Sequence, residues 1–500
     1  MSMSITSIAL LVGIIAYLVV IILIGVFAYR RGTKTAIEYF IAGRAFGTIV
    51  MTISVMAAVY SGWFFLGGPG MGYAFGLAVM TSVPGYCVLA YFIVKYIWPM
   101  HKRASEKFGY ITASDIVGGF YKSDLLRILT AVVAVAYCLP YICLQLHSCG
   151  IIVAGLSGGE IPYEVGFYVL AGGLLLYVVL GGLRGVVWTS VLQGLLLLSF
   201  VFIAFGLVCY LSGGYVNALS TMPPSHMVIP GPSPLWTWQF GLSLGVVTIF
   251  GIFSSPVYVL FANSVRGRRE DYERTFRFIG FGFWASIMTA IYIFMWVIVW
   301  FGIRQIVGPG VAPDWSLPTL MLKYTPVWVL PLFAGAVIAA CQSTADAALH
   351  TAGTAVGRDI AGTIRKDLSE RWQVIISRAT VAAIVLLTLF VLVKYLYAML
   401  VYLGAFATSF GLQILPAYLG VYYGPRRLFT KWGVAAGIIV GIVVTTLTYA
   451  WYPGWPLAYP YKIHCGMWGI FANFVTCFVV SLFTKPVDEE WVKEFRKAIA

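Results

Sequence analysis

Long apolar runs alternate along the chain with short segments that carry charge, proline or glycine. Each run is roughly 20 residues long, the length that an α-helix needs to cross the hydrocarbon core of a bilayer. The pattern predicts an all-α polytopic membrane protein with about thirteen transmembrane helices. The first run, Ile5 to Ala28, is too long for the apolar part of a cleavable signal peptide and is followed by Arg30 and Arg31, so we interpret it as the first span.

Two of the predicted spans contain residues that interrupt a helix. The second span passes through Tyr60-Ser61-Gly62-Trp63, and the seventh passes through Ser254-Ser255-Pro256. Unwound backbone at membrane depth is tolerated where it faces a cavity or an ion. Interrupted helices at corresponding places in two halves are typical of transporters built from inverted repeats. Close helix packing against the glycines remains an alternative for the second span.

These breaks divide the chain into two predicted repeats within one transmembrane domain that covers residues 1–500. The parts that we expect are an extra first helix (5–28), a first repeat (46–212), a second repeat (236–423), two C-terminal helices (431–484) and a tail (485–500).

Composition excludes a soluble globular protein, because 61% of the residues are hydrophobic, 10% are charged and the mean hydropathy is +0.91. The net charge of +14 comes from short loops between the spans, and the basic clusters all fall on one side of the membrane, so it reports orientation and not nucleic-acid binding. We expect the N-terminus outside the cell membrane (plasma or inner membrane) and the C-terminus in the cytoplasm. Phosphate-binding loops, zinc spacings and nucleophile elbows are missing from the sequence, so we expect neither an enzyme nor a cofactor.

The predicted ninth span places polar groups in a segment that is otherwise suited to lipid. Ser343 and Thr344 offer two hydroxyls, and Ala340, one turn earlier, offers a carbonyl. Carbonyls of Ala57 and Tyr60 in the broken second span complete an uncharged oxygen shell, which suits a hard monovalent cation such as sodium. The alternative is that the two hydroxyls bond only to their own helix.

Asp346 and His350 follow on the same helix, four residues apart and so on one face. Three interpretations remain open for them: a stabilising pair, a proton relay, and a support behind the ligands of the ion.

Four segments together resemble the sodium/solute symporter family, whose members include proline, pantothenate, monocarboxylate, sialic acid and sugar symporters. They are Ala340-Cys-Gln-Ser343-Thr344-Ala-Asp346, Gly181-Gly182 with Trp188-Thr189 and Gln193, Ala-Gly-Arg44, and Tyr60-Ser61-Gly62-Trp63. The resemblance implies a LeuT-like fold of two inverted five-helix repeats with flanking helices. It also implies a sodium site at Ala57, Tyr60, Ala340, Ser343 and Thr344.

The resemblance further implies that the solute contacts the two broken spans and the fourth span. The residues concerned are Tyr60, Ser61, Tyr137, Tyr141, Phe253, Ser254 and Ser255. Two departures stand out. Val59 replaces an aspartate of the proline-type members, and Ser190 replaces an aspartate that supports a second sodium in some members, so we expect one sodium per solute.

The predicted function is sodium-coupled symport of a small organic solute by alternating access, with a small organic acid or amino acid as the first choice. The expected partners are sodium, the solute and the lipid bilayer. Proton coupling through Asp346 and His350 is the first alternative. A membrane sensor that retains a transporter fold is the second.

Overall fold

The computed structural model describes residues 3–31, 35–396, 398–451 and 460–500. Within these ranges the chain is helical, and an isolated bridge between Phe46 and Val265 is its β-type pairing. Within the described part of the chain, ten helices are long and apolar enough to cross a membrane, and the bent pair in the seventh span makes an eleventh. Shorter apolar helices at Thr48–Val59 and Tyr163–Leu176 fill the places of the second and fifth predicted spans.

These segments correspond in position to the predicted spans, and together they confirm a polytopic all-α fold. The helices are, in span order, Ile5–Arg31 (first); Thr48–Val59 and Gly68–Phe75 (second); Val83–Val88, Ala90–Tyr96 and Trp98–Phe108 (third); Asp124–Leu156 (fourth); Tyr163–Leu211 (fifth and sixth); Trp238–Ser254 and Pro256–Ser264 (seventh); Arg269–Arg277, Phe278–Met288, Ile291–Trp296 and Val297–Val307 (eighth); Val329–Thr354 (ninth); Glu370–Leu387 (tenth); Leu400–Leu412 and Leu415–Tyr422 (eleventh); Lys431–Trp451 (twelfth); and Cys465–Leu482 (thirteenth). Residues 452–459, inside the predicted C-terminal pair, lie outside the described ranges.

The breaks occur where the sequence predicts them. In the second span the first helix ends at Val59, and the backbone of Tyr60 is extended with a ψ of 98°. In the seventh span Ser255 is extended, Pro256 begins the next helix, and the two halves are bent by 49°. The turn between the fifth and sixth spans falls at Gly182, whose φ of 55° favours glycine.

Backbone hydrogen bonds join the first residues of the second span to the last residues of the seventh. Phe46 donates to the Ser264 carbonyl over 3.3 Å, and Arg266 donates to the Phe46 carbonyl over 2.8 Å. Both broken spans are therefore tied together at the end from which the basic loops emerge.

An ion-pair network lies at the same end of the molecule. The short helix Ala113–Phe120 begins with a capping box between Thr112 and Asp115. Asp115 is 2.6 Å from Arg358 of the ninth-span segment and 3.5 Å from Arg127 of the fourth span. Burial raises the pKa of Asp115, but Arg358 and Arg127 outweigh that effect and hold it below the usual value.

The C-terminal tail contains a helix, Glu489–Ile499, that the apolar pattern of the sequence did not predict. Phe495 is fully buried and its ring lies 4.8 Å from that of Phe108 and 5.0 Å from that of Phe120. Arg496 donates to the carbonyls of Gly420 and Gly424 at the end of the eleventh span. This helix therefore connects segments of both predicted repeats.

Candidate ion and solute site

The end of the first helix of the second span meets the middle of the ninth span. A helix leaves its last carbonyls without partners inside the helix. Ser343 donates to the Ala57 carbonyl over 2.7 Å, and Thr344 donates to the Ala58 carbonyl over 3.0 Å. The two hydroxyls of the ninth span thus satisfy two carbonyls that the break at Tyr60 releases.

Several oxygens converge at this point. The Ser343 hydroxyl also lies 3.1 Å from the Ala340 carbonyl, so it is shared between its own helix and the second span. Thr344 bonds to the second span instead of to its own helix. All these oxygens are buried, and the C-terminal end of a helix carries partial negative charge that attracts a cation.

The structure brings the predicted ion residues Ala57, Ala340, Ser343 and Thr344 together by these contacts. The extended backbone at Tyr60 turns its carbonyl out of the helical direction. Ala58, which the sequence analysis did not single out, contributes the carbonyl that Thr344 contacts.

The backbone just beyond the break has partners of its own. The Gln145 side-chain oxygen of the fourth span accepts from the Gly62 amide over 3.0 Å, and the Ser61 hydroxyl accepts from the Trp63 amide over 3.1 Å. A Cβ on Gly62 would overlap the Ser148 side chain and lie 3.1 Å from the Cys341 sulfur. The break is therefore held between the fourth and ninth spans.

A small cavity lies beside the break and has a volume of about 10 Å³, room for about one water molecule. It is lined by Val59, Trp63, Tyr86, Tyr141, Thr248, Ile252, Gly404 and Thr408. The lining combines three aromatic side chains, two of them tyrosines, with two threonines, and none of its members is charged. The rings of Trp63 and Tyr86 stack with their centroids 5.4 Å apart.

Tyr141 is the residue predicted to contact solute that lines this cavity. Its hydroxyl interacts with the side chains of Ser61 and Tyr137, which places those two predicted residues directly behind the wall. The ring centroids of Tyr137 and Tyr141 are 5.1 Å apart.

The aromatic residues predicted at the two breaks face the eighth span instead of the cavity. Tyr60 stacks on Phe64 at 3.9 Å and on Trp284 at 5.7 Å, and Phe253 meets the same Trp284 at 5.3 Å. The carbonyl of Phe253 accepts from the Trp98 indole over 3.2 Å.

Ser254 and Ser255 are fully buried at the second break. Their hydroxyls have no hydrogen-bond partner within the described part of the chain. The Thr248 hydroxyl, two turns earlier and in the cavity wall, is in the same situation. Buried hydroxyls without partners are costly, which makes these three groups available to a ligand.

Asp346 and His350 are both buried in the ninth span. His350 donates from Nε2 to the Phe40 carbonyl over 3.1 Å, and its ring lies edge-on to Tyr39. Asp346 interacts electrostatically with Tyr17 of the first span.

Thr248, Ile252, Gly404 and Thr408 line the cavity although sequence reasoning assigned them no role. Each lies within a regular helix, where nothing in the local pattern separates a cavity wall from ordinary packing. The threonines among apolar neighbours were the one available signal.

Comparison with known proteins places this arrangement in a family. The model of the sodium:solute symporter family matches residues 39–441. The chain is 24% identical to the high-affinity proline transporter PutP of Bacillus subtilis, covering 95% of this chain and 98% of that protein. It is 27% identical to the sodium/pantothenate symporter of Escherichia coli, covering 87% and 89%.

A solved structure agrees in fold. A Na+-coupled sialic acid symporter, determined in a substrate-bound outward-open state, superposes with a TM-score of 0.77 at 18% identity, covering 96% of this chain and 98% of that one. The predicted LeuT-like architecture is thereby confirmed. The family model and the curated relatives show that the protein is a transporter and not an enzyme. The chain belongs to the sodium:solute symporter family.

Proposed function

We propose that this chain couples the inward movement of one sodium ion to that of a small organic acid or amino acid. The observation that carries the ion assignment is the pairing of Ser343 and Thr344 with the carbonyls that end the second-span helix. The proposed sodium ligands are the backbone oxygens of Ala57, Tyr60 and Ala340 and the hydroxyls of Ser343 and Thr344. A hydroxyl oxygen can donate and accept at once, so these groups can turn lone pairs toward a cation.

The coupling follows from where the ligands lie. Two of the proposed ligands belong to the second span and three belong to the ninth, so a bound ion resists separation of the two spans. Val59, next to Ala58, lines the cavity beside the break. Sodium and solute therefore draw on the same conformational equilibrium, and each must raise the affinity for the other.

The cavity wall supports the choice of solute class. Trp63, Tyr86 and Tyr141 provide apolar faces, while Thr248 and Thr408 provide hydroxyls. No lysine or arginine lines it to pair with a carboxylate, but the N-terminal ends of broken helices can hold one without a cationic side chain. Tyr60, Ser61, Tyr137, Phe253, Ser254 and Ser255 remain proposed contacts that a solute reaches as the walls move apart.

The proposed stoichiometry rests on Ser190, which is buried and carries no charge with which to hold a second ion. The proposed orientation rests on the basic loops: the N-terminus outside and the C-terminus in the cytoplasm of a cell membrane. Asp346 and His350 are assigned a supporting role behind the ion site, since the His350 ring bonds to the Phe40 carbonyl.

The proposal is tested by melting the detergent-purified protein with a panel of small carboxylates and amino acids, each in sodium or in matched potassium salt. A ligand stabilises the state to which it binds. We expect one solute to raise the melting temperature in sodium and to do so much less in potassium. Equal shifts in both salts would contradict sodium coupling and favour a proton relay through Asp346 and His350.

A further inference from the structure

We propose that Tyr17 of the first span is a positioning residue for the sodium site, although it lies outside both predicted repeats. The inference rests on the ion site proposed above. It concerns a hydroxyl that joins the sixth and ninth spans beside that site.

The contacts of Tyr17 are specific. Its hydroxyl donates to the Gln342 side-chain oxygen over 2.7 Å and accepts from the Gln193 side-chain nitrogen over 3.0 Å. Both glutamines are fully buried, and Tyr17 is 9% exposed. A tyrosine in an apolar helix that uses its hydroxyl in both directions fixes the two side chains that it contacts.

The residues that directly follow the two glutamines contact the second-span helix. Gln342 directly precedes Ser343, whose hydroxyl bonds to Ala57. Gln193 directly precedes Gly194, where a Cβ would lie 2.6 Å from the Ile53 side chain of the second span. Tyr17 therefore ties together the sixth and ninth spans, which both pack against the second-span helix that ends at the ion site.

The first span is itself held in place at a second point. The Glu160 carboxylate accepts from the hydroxyls of Ser4 and Ser7 over 2.7 and 2.6 Å. Lower in the helix, Gly13 packs directly against the Pro331 ring of the ninth span. These contacts fix the position of the first span relative to the ninth span. They therefore keep the Tyr17 hydroxyl within hydrogen-bond distance of Gln342.

The test is the sodium dependence of solute uptake by the full-length protein in proteoliposomes, using the solute that the melting panel identifies. Tyr17→Phe removes the hydroxyl and keeps the ring. We expect the half-saturating sodium concentration to rise about three- to ten-fold, the range of one hydrogen bond between neutral groups. At saturating sodium the KM for solute and the maximal rate should change less than about two-fold, because the positioning acts through the ion.

Tyr210→Phe is the matched control, since Tyr210 is 83% exposed. In a Ser343→Ala background, Tyr17→Phe should not raise the half-saturating sodium concentration further. If the role of Tyr17 were purely structural, the effects of the two substitutions would add. Gln193→Ala breaks the bridge from the other side and carries the test if Tyr17→Phe does not fold.

An unchanged half-saturating sodium concentration in Tyr17→Phe, or in Gln193→Ala in its place, would overturn the inference. A loss of maximal rate with sodium dependence intact would do the same. Failure of the underlying ion site is recognised separately, because Ser343→Ala alone would then leave the sodium activation of uptake unchanged.

Discussion

At the scale of single residues, the central feature is a set of side chains that hydrogen-bond to the backbone of a broken helix. Ser343 and Thr344 supply donors to the carbonyls of Ala57 and Ala58, and Gln145 supplies an acceptor to the amide of Gly62. Every one of these groups is buried, so an unpaired backbone group here would cost free energy. The break is stable because side chains of the fourth and ninth spans bond to the backbone carbonyls and the amide that it leaves without helical partners.

Gln145 provides a direct measure of that support. Gln145→Leu leaves the Gly62 amide unpaired, and we expect the free energy of unfolding to fall by about 1–3 kcal/mol. Measured below about pH 4, where a glutamate carboxyl is neutral, Gln145→Glu keeps an acceptor oxygen at the same position, so its melting temperature in detergent should fall less than that of Gln145→Leu. If the leucine variant melted like the unsubstituted protein, Gln145 would have no part in stabilising the break.

At the scale of elements, the eleventh span contributes Gly404, a residue without a side chain, to the wall of the cavity beside the break. A Cβ on Gly404 would lie 2.9 Å from the Trp63 ring and 3.0 Å from the Leu144 side chain. Contacts that short force a neighbour to shift. The close approach of the eleventh span to the second therefore depends on glycine.

We expect Gly404→Ala to raise the KM for solute several-fold, because the added methyl group displaces the Trp63 wall, and to leave the sodium dependence nearly unchanged. Initial uptake rates across solute and sodium concentrations separate the two effects. Gly172→Ala is the control, since its added Cβ would meet nothing within 4 Å. An unchanged KM for solute in Gly404→Ala would show that the Trp63 side of the cavity does not contact the solute.

The spans and their breaks could be predicted from the sequence, whereas the directions of several side chains could not. Apolar run length predicts the spans, and the residues at 60–63 and 254–256 predict the breaks, because both are local properties of the chain. The directions of Tyr60 and Phe253 are not local: both rings pack on Trp284, which comes from a distant span. Thr248, Gly404 and Tyr17 lie in regular helices, so their roles emerge only when the helices are packed together.

At the scale of the whole molecule, the loop before the ninth span connects segments of both predicted repeats. Asp314 in that loop accepts from the Leu400 amide over 3.0 Å at the start of the eleventh span. Its other carboxyl oxygen has no hydrogen-bond partner within the described ranges and lies against Gly70 of the second span. Burial raises the pKa of Asp314 to about 7, and the Leu400 amide opposes that shift only in part.

This carboxyl predicts a pH dependence with a definite sign. Its pKa is higher in the folded protein, about 7, than in an unfolded chain, about 3.9. Its contribution to stability is therefore fully present below about pH 4 and is lost as the pH rises through about 7. We expect the melting temperature to fall between pH 5 and pH 8, and Asp314→Asn to flatten that decline.

Asp367→Asn serves as the matched control for this experiment. The Asp367 side chain is 76% exposed, so its replacement should leave the pH profile of the melting temperature unchanged. Parallel profiles for the unsubstituted protein and Asp314→Asn would show that the Asp314 carboxyl does not govern stability in this range.

The most direct test of the account is the sodium-activation curve of solute uptake in Ser343→Ala. Thr351→Ala is the control in the same helix, because the Thr351 hydroxyl bonds to the Ala347 carbonyl of its own helix. We predict that Ser343→Ala raises the half-saturating sodium concentration by about ten-fold or more, as expected when a ligand to the ion is lost, while Thr351→Ala leaves it near the original value. Identical sodium activation in Ser343→Ala and the unsubstituted protein would contradict an ion site between the second and ninth spans.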